Sequence, residues 1–234
     1  MSVVLKVMSS GGFYSALEEL GPLYQKKTGK EVILISGSSM GSSPTSIPTR
    51  LKQGEEADVL CMASPELDKL IAAEFAVPGS RVDLVLSKIG MAVRAGAPKP
   101  DISTTEAVIN TLRAAKTIGY SASASGTYLS QDLFPRLGIW DEIKDKAKEV
   151  VKDRVASWIA RGDLEIGFQQ VSELLAIPGI DLVGTLPADI QKVTVFSSGI
   201  AVSSKQVEEA KQFVQFLTSP EVYPIIIKQG LEPA

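Results

Sequence analysis

The sequence predicts an α/β fold built as two lobes, and three observations carry that prediction. Apolar, strand-like runs alternate with stretches of helical periodicity along the whole chain. Three of those runs empty into loops made almost only of serine and glycine. Residues 3–8 lead into Ser9-Ser10-Gly11-Gly12, residues 31–35 into Ser36-Gly37-Ser38-Ser39-Met40-Gly41-Ser42-Ser43, and residues 117–120 into Ser121-Ala122-Ser123-Ala124-Ser125-Gly126. The last observation is an internal echo. Residues 50–60 and 158–168 each read as a helix ending at a glycine (Gly54, Gly162), then an acidic turn and a buried strand. The echo suggests two lobes of similar construction rather than one continuous sheet.

The elements follow in order. Phe13, Leu17, Leu20 and Tyr24 fall at near-helical spacing and predict a helix over 12–27, stopped near Gly29. A strand over 31–35 ends at the second Ser/Gly loop, and Pro44 and Pro48 break the chain before Arg50. Residues 59–62 read as a buried strand and 65–72 as a helix. The β-α-β-α-β-α rhythm so far implies a parallel sheet with helices on its faces. From Asp83 the rhythm changes. Strands over 83–86 and 89–94 follow closely, 96–100 is a linker, and a helix over 104–115 leads to the strand ending at Tyr120. Helices are predicted over 127–137, 141–148 and 155–161, and a strand over 164–168. Further strands are expected over 180–186, 192–196 and 199–203. Val207, Ala210, Phe213, Val214 and Leu217 predict a final amphipathic helix ending before Pro220. The stretches 83–94 and 192–203 are the points where the chain would leave the first lobe and return. Residues 1–85 with 193–234 then form one lobe and 86–192 the other. A two-strand hinge is expected to join them over a ligand cleft at the strand carboxyl ends.

Composition narrows the chemistry. The 234 residues carry a formal net charge of −3, with lysine and arginine spread thinly, so no nucleic-acid surface is expected. No apolar run approaches membrane-spanning length. Histidine is absent, which removes His-based triads, His-ligated metals and imidazole acid–base catalysis. The single cysteine, Cys61, sits in an apolar run and reads as a small buried hydrophobe; no intrachain disulfide can form. No metal site and no cofactor are expected, and a monomer is. Residues 1–6 lack the basic start and small-residue cleavage site of a secretory signal. The chain is therefore read either as cytoplasmic or as a mature periplasmic form whose signal has been removed.

A Ser/Gly loop between a strand and a helix offers backbone N–H groups, small hydroxyls and the positive end of a helix dipole. That setting suits an anion held by neutral donors. Serine is also an ordinary N-cap, so one loop carries little; three after strands make an anion site the leading expectation. With Val7-Met8-Ser9-Ser10-Gly11-Gly12-Phe13, Gly37-Ser38-Ser39-Met40-Gly41, Gly54-Glu55-Glu56-Ala57-Asp58-Val59 and a tail over 210–220, the chain resembles the type II periplasmic solute-binding proteins. Among them it is most similar to the molybdate-binding protein family of ABC transporters, over most of its length. The resemblance implies an oxyanion held by serines and backbone amides. Ser9 or Ser10 with Gly11, and Ser38 or Ser39 with Met40, are the matching positions; Ser123, Ser125 and Gly126 match a third loop. It also implies hinge closure on the ligand and an ABC transporter permease as partner.

The departures from that family point to a larger guest. The position of a ligand tyrosine in the molybdate binders is Gln169 here, followed by Gln170, both placed as ligand contacts. The second loop is longer and proline-bearing over 42–50, and a charged run, Lys152-Asp153-Arg154, precedes the helix over 155–161. The segments over 9–13, 39–41, 47–51 and 167–174 resemble a subgroup that includes bacterial aconitate isomerase. Two readings stand beside each other, and whether the chain is an enzyme stays open. One is a solute-binding protein holding a metal oxyanion or a di- or tricarboxylate. The other is an isomerase moving a proton between trans- and cis-aconitate, with Tyr128, Lys152, Asp153 and Glu173 as unranked candidates for the base. Arg50 is the candidate cation for a carboxylate; as an alternative it is a solvated helix arginine. A third reading, the effector domain of a LysR-type regulator, finds no room for a helix-turn-helix ahead of the first strand. Ser42, Ser43 and Ser46 read as turn and cap residues, Ser197 and Ser198 as structural, and Trp140 and Trp158 as core or cover.

Overall fold

The computed structural model describes residues 3–151 and 153–234; Met1, Ser2 and the base candidate Lys152 lie outside the described residues. The chain divides into two compact units, Met1–Ser87 with Thr194–Ala234, and Lys88–Val193.

The first unit opens with β1 (Val4–Ser9), α1 (Gly11–Thr28), β2 (Glu31–Ser36), α2 (Ile47–Lys52), β3 (Val59–Ala63), α3 (Ser64–Ala72) and β4 (Val82–Ser87). Strand β1 pairs in parallel with both β2 and β3, as the alternating pattern requires. Phe13, Leu17, Leu20 and Tyr24 face inward from α1, and Gly29 ends that helix in the left-handed conformation with φ 74°. The second unit contains β5 (Ile89–Arg94), α4 (Thr105–Ala114), β6 (Ile118–Ser121) and α5 (Ala124–Tyr128). A π-helical turn (Leu129–Leu133) joins α5 to α6 (Phe134–Arg136), so one interrupted helix runs where 127–137 is expected. Then come α7 (Trp140–Ile143), β7 (Ala147–Val150), α8 (Val155–Arg161), β8 (Ile166–Gln170), α9 (Val171–Leu175) and β9 (Ile180–Thr185). Its sheet has the order β7-β6-β8-β5-β9, with β6 parallel to β7 and β8 and β5 antiparallel to β8 and β9.

The chain returns to the first unit as β10 (Thr194–Ile200), followed by α10 (Val207–Leu217), a 3-10 turn (Pro220–Val222), α11 (Tyr223–Lys228) and β11 (Leu231–Pro233). The first sheet is then β11-β4-β10-β3-β1-β2, with β10 antiparallel to both β3 and β4. Two expectations are corrected here. The helix over 141–148 stops at Ile143, because residues 147–150 are taken up by the backbone ladder of β6. The two strands over 192–203 are one, β10, since Ser197 and Ser198 continue the ladder. The parallel sheet expected of the first three strands is present in β1, β2 and β3; β4 runs in the same direction as these, while β10 and β11 run against them.

Each sheet is buried on both faces. In β1 and β3, Val7, Val59 and Cys61 join the core under α1 and α10 with Phe13, Phe196 and Phe213. Their neighbours Met8, Leu60 and Met62 face the opposite side with Ile47 and Leu67. Two-sided burial explains why these strands read as unbroken apolar runs. The second unit repeats the arrangement. Ile118, Ile166, Phe168 and Phe134 fill one face, and Val155, Ile159, Ala92 and Leu164 the other.

Candidate functional site

At the carboxyl ends of β1, β2 and β3 the backbone ties three loops together. The Ser10 N–H donates to the Cys61 carbonyl at 2.9 Å, and the Gly37 N–H to the Ser9 carbonyl at 3.0 Å. The Ser39 hydroxyl oxygen accepts the Ala63 N–H at 3.1 Å. Counting hydroxyl protons separates the serines that the sequence leaves as alternatives. Ser9 spends its proton on the Ser10 carbonyl at 3.1 Å, and Ser38 on the Met40 carbonyl at 2.8 Å. Ser39 accepts through its oxygen, so its own proton remains to donate. Ser10 is the residue before α1 yet makes no capping bond, and its buried hydroxyl has no partner among the described residues. Ser46 shows the ordinary alternative, accepting the Thr49 N–H at the start of α2. Of the four loop serines Ser9, Ser10, Ser38 and Ser39, Ser10 and Ser39 are therefore the two whose hydroxyl protons are not spent on a carbonyl among the described residues. Gly11 opens the eighteen-residue helix α1 just beyond Ser10. A Cβ on the next residue, Gly12, would lie 2.2 Å from the Phe196 ring, so only glycine lets this turn pack on β10.

Arg50 is placed differently from the expected clamp. Its Nη1 is bound to both Glu55 oxygens, at 2.8 and 3.0 Å, which neutralises its charge. Its Nε is buried without a partner among the described residues. Ser197 donates to Asp83 at 2.6 Å and lies 2.5 Å from the Ser64 hydroxyl, linking β4, β10 and α3. That is the structural role expected of it. Cys61 is wholly buried, and burial pushes its thiol pKa up.

In the second unit the loop after β6 brings three hydroxyls together. Ser121 lies 2.7 Å from Ser123 and 3.1 Å from Ser125. Three protons serve two contacts, so at least one points out of the cluster. The loop is held by close approach: a Cβ on Gly126 would sit 1.6 Å from the Ser121 carbonyl oxygen. Ser121 is a member that the sequence reading left among loop residues; its place at the end of a strand that begins with Ile118 is the signal. The parallel register of β6 and β8 pairs Tyr120 with Phe168. Gln169 and Gln170, both buried, thus emerge beside the serines. Gln169 accepts the Val155 N–H at 3.0 Å through its side-chain oxygen.

That bond leaves the Gln169 amide group for Glu173, whose carboxyl it holds down in pKa, as does the nearby Arg154 guanidinium. Burial outweighs both and pushes Glu173 up to about 7. Arg154 is the residue before α8 and is missing from the sequence candidates. The charged run 152–154 was its only trace. A cavity of about 660 Å³ lined by Lys99, Glu106, Asn110 and Glu165 opens elsewhere in this unit, where β6 and β8 begin, away from these loops. Among the described residues no helix is long and apolar enough to cross a membrane, and no group of three or more Cys, Asp or Glu could hold a metal.

Comparison with known proteins agrees with this layout. An aconitate isomerase of a Pseudomonas species is 44% identical over 98% of this chain and 87% of its own length. The molybdate-binding protein ModA of Rhodobacter capsulatus is 24% identical over 94% of this chain and 85% of its own. The solved periplasmic molybdate-binding protein of Azotobacter vinelandii shares the fold with a TM-score of 0.79, at 24% identity, covering 97% of this chain and 98% of that one. The fold is therefore that of the type II periplasmic binding proteins. Residues 5–232 match the bacterial extracellular solute-binding protein family, and the chain belongs to that family.

Proposed function

We propose that the chain interconverts trans- and cis-aconitate. What carries the reading is the 44% identity to an aconitate isomerase over nearly the whole chain, and the donor chemistry fits it. Aconitate bears three carboxylates. Ser10 and Ser39 in one unit, and the cluster of Ser121, Ser123 and Ser125 in the other, offer neutral O–H donors, and Arg154 adds a charge. Hydrogen bonds of this kind offset the cost of stripping water from a carboxylate. Shifting the double bond means breaking a C–H bond at the methylene carbon. The electron pair spreads through the adjacent double bond onto a carboxylate, and a C–H bond forms at the former vinyl carbon. No electrons are gained or lost overall. The same donors stabilise the charge that develops on the carboxylate.

Incubation with trans-aconitate, followed by proton NMR, is expected to show the cis isomer accumulating to an equilibrium mixture approached from either side. A second reading, a passive carrier delivering a small anion to an ABC transporter permease, is favoured by the family match. Thermal shift separates the two. Stabilisation by molybdate alone, with no turnover of either isomer, sinks the isomerase reading.

A further inference from the structure

We infer that Glu173 is the catalytic base that carries the proton between the two carbons, with Gln169 and Arg154 positioning it; the assignment rests on the isomerase reading. Of the candidates that the structure describes, two are already committed. The Tyr128 hydroxyl donates to the Ile190 carbonyl at 2.9 Å and accepts from Arg136 at 3.1 Å. Asp153 holds the Arg154 N–H and the Arg161 guanidinium.

Glu173 differs in place and surroundings. It lies in the first turn of α9, directly after β8, at the same end of the sheet as the serine cluster. It is 9% exposed, close enough to the surface for a ligand yet largely shielded from bulk water. Gln169 is fixed by the Val155 N–H and turns its amide to the carboxyl. Arg154 adds positive charge from the start of α8, and its guanidinium has no hydrogen-bonded partner among the described residues, leaving it available to a substrate carboxylate. Strands β5 and β9 also pack against α9, and neither brings a charged group that acts on Glu173. With its pKa pushed up to about 7, the carboxyl is divided between its two forms at neutral pH. One group can then take the proton from the methylene carbon and, now protonated, return it to the former vinyl carbon.

The experiment is steady-state kinetics on the purified chain across pH, with E173Q beside it. The wild type is expected to show kcat/KM rising through about pH 7, and E173Q to lose about a thousandfold in kcat while still binding trans-aconitate by calorimetry. In Q169L and R154Q the rising limb moves to higher pH, because each partner favours the carboxylate form. If E173Q does not fold, the wild-type profile decides, and a profile flat between about pH 5.5 and 8.5 overturns the assignment. An inactive wild type overturns the isomerase reading and this assignment together. An active wild type beside a folded, active E173Q overturns the assignment alone.

Discussion

Ser10 and Ser46 each precede a helix, and their hydroxyls have different uses. Ser46 satisfies an N–H of α2, so S46A is expected to cost about 1 kcal/mol in urea unfolding. Ser10 satisfies nothing among the described residues, so S10A is expected to leave stability within about 0.5 kcal/mol of the wild type. Its cost appears on ligand addition instead. S10A and S39A are each expected to weaken carboxylate binding about tenfold, read by calorimetry; unchanged affinity in both would remove them from the site. Glu173 has its own signature in stability. A carboxyl at about 7 in the folded chain and 4.5 in the unfolded one makes the native state bind the extra proton. Wild-type stability therefore falls as pH rises from 4.5 to about 7. E173Q removes that penalty. It is expected to be more stable than the wild type by roughly 3 kcal/mol at about pH 8 and no more stable at about pH 4. Equal urea midpoints at the higher pH would contradict the burial described for this group.

At the scale of elements, the repeated unit survives inspection in detail. α2 and α8 are each followed by a glycine with positive φ, Gly54 at 84° and Gly162 at 86°, and the chain then enters β3 or β8. G54A and G162A are each expected to cost about 1 kcal/mol or somewhat more by urea unfolding, since an L side chain is strained there. This part of the fold was legible because glycine and apolar runs are local signals. The strand β7 was not. Residues 144–149 carry the lysines, acids and alanine of a helix surface, and only the ladder of β6 makes 147–150 a strand. The C-terminal α11 and β11 escaped for the same reason, β11 existing only through its pairing with β4. The site was legible to the level of loops. Which serine donates in each loop depended on where the other protons went. Glu173 meets the charge of Arg154 and the side chain of Gln169 only in the folded unit, and no spacing in the chain encodes either.

At the scale of the molecule, the two units differ in how the chain supplies them. Lys88–Val193 is one unbroken segment with its own sheet and cores, whereas the other unit needs two segments. Expressed alone, residues 88–193 are expected to fold, shown by cooperative urea unfolding and a dispersed amide NMR spectrum. Residues 1–87 alone are expected to stay unstructured, because β10 joins β3 to β4 in the sheet and is missing from them. Cooperative unfolding of 1–87 would contradict the placement of β10. The returning strand also sets an order of events during synthesis. When β1 to β4 leave the ribosome, the apolar faces of Leu5, Val7 and Val59 have no Phe196, Phe213 or Phe216 to cover them. The whole of Lys88–Val193 is translated before that cover arrives, so the later-begun unit can finish first. The nascent chain then carries one completed unit and one sticky, half-built sheet. That interval is when a chaperone holding the first eighty-seven residues matters most, and slowing translation across 88–193 should lengthen its hold.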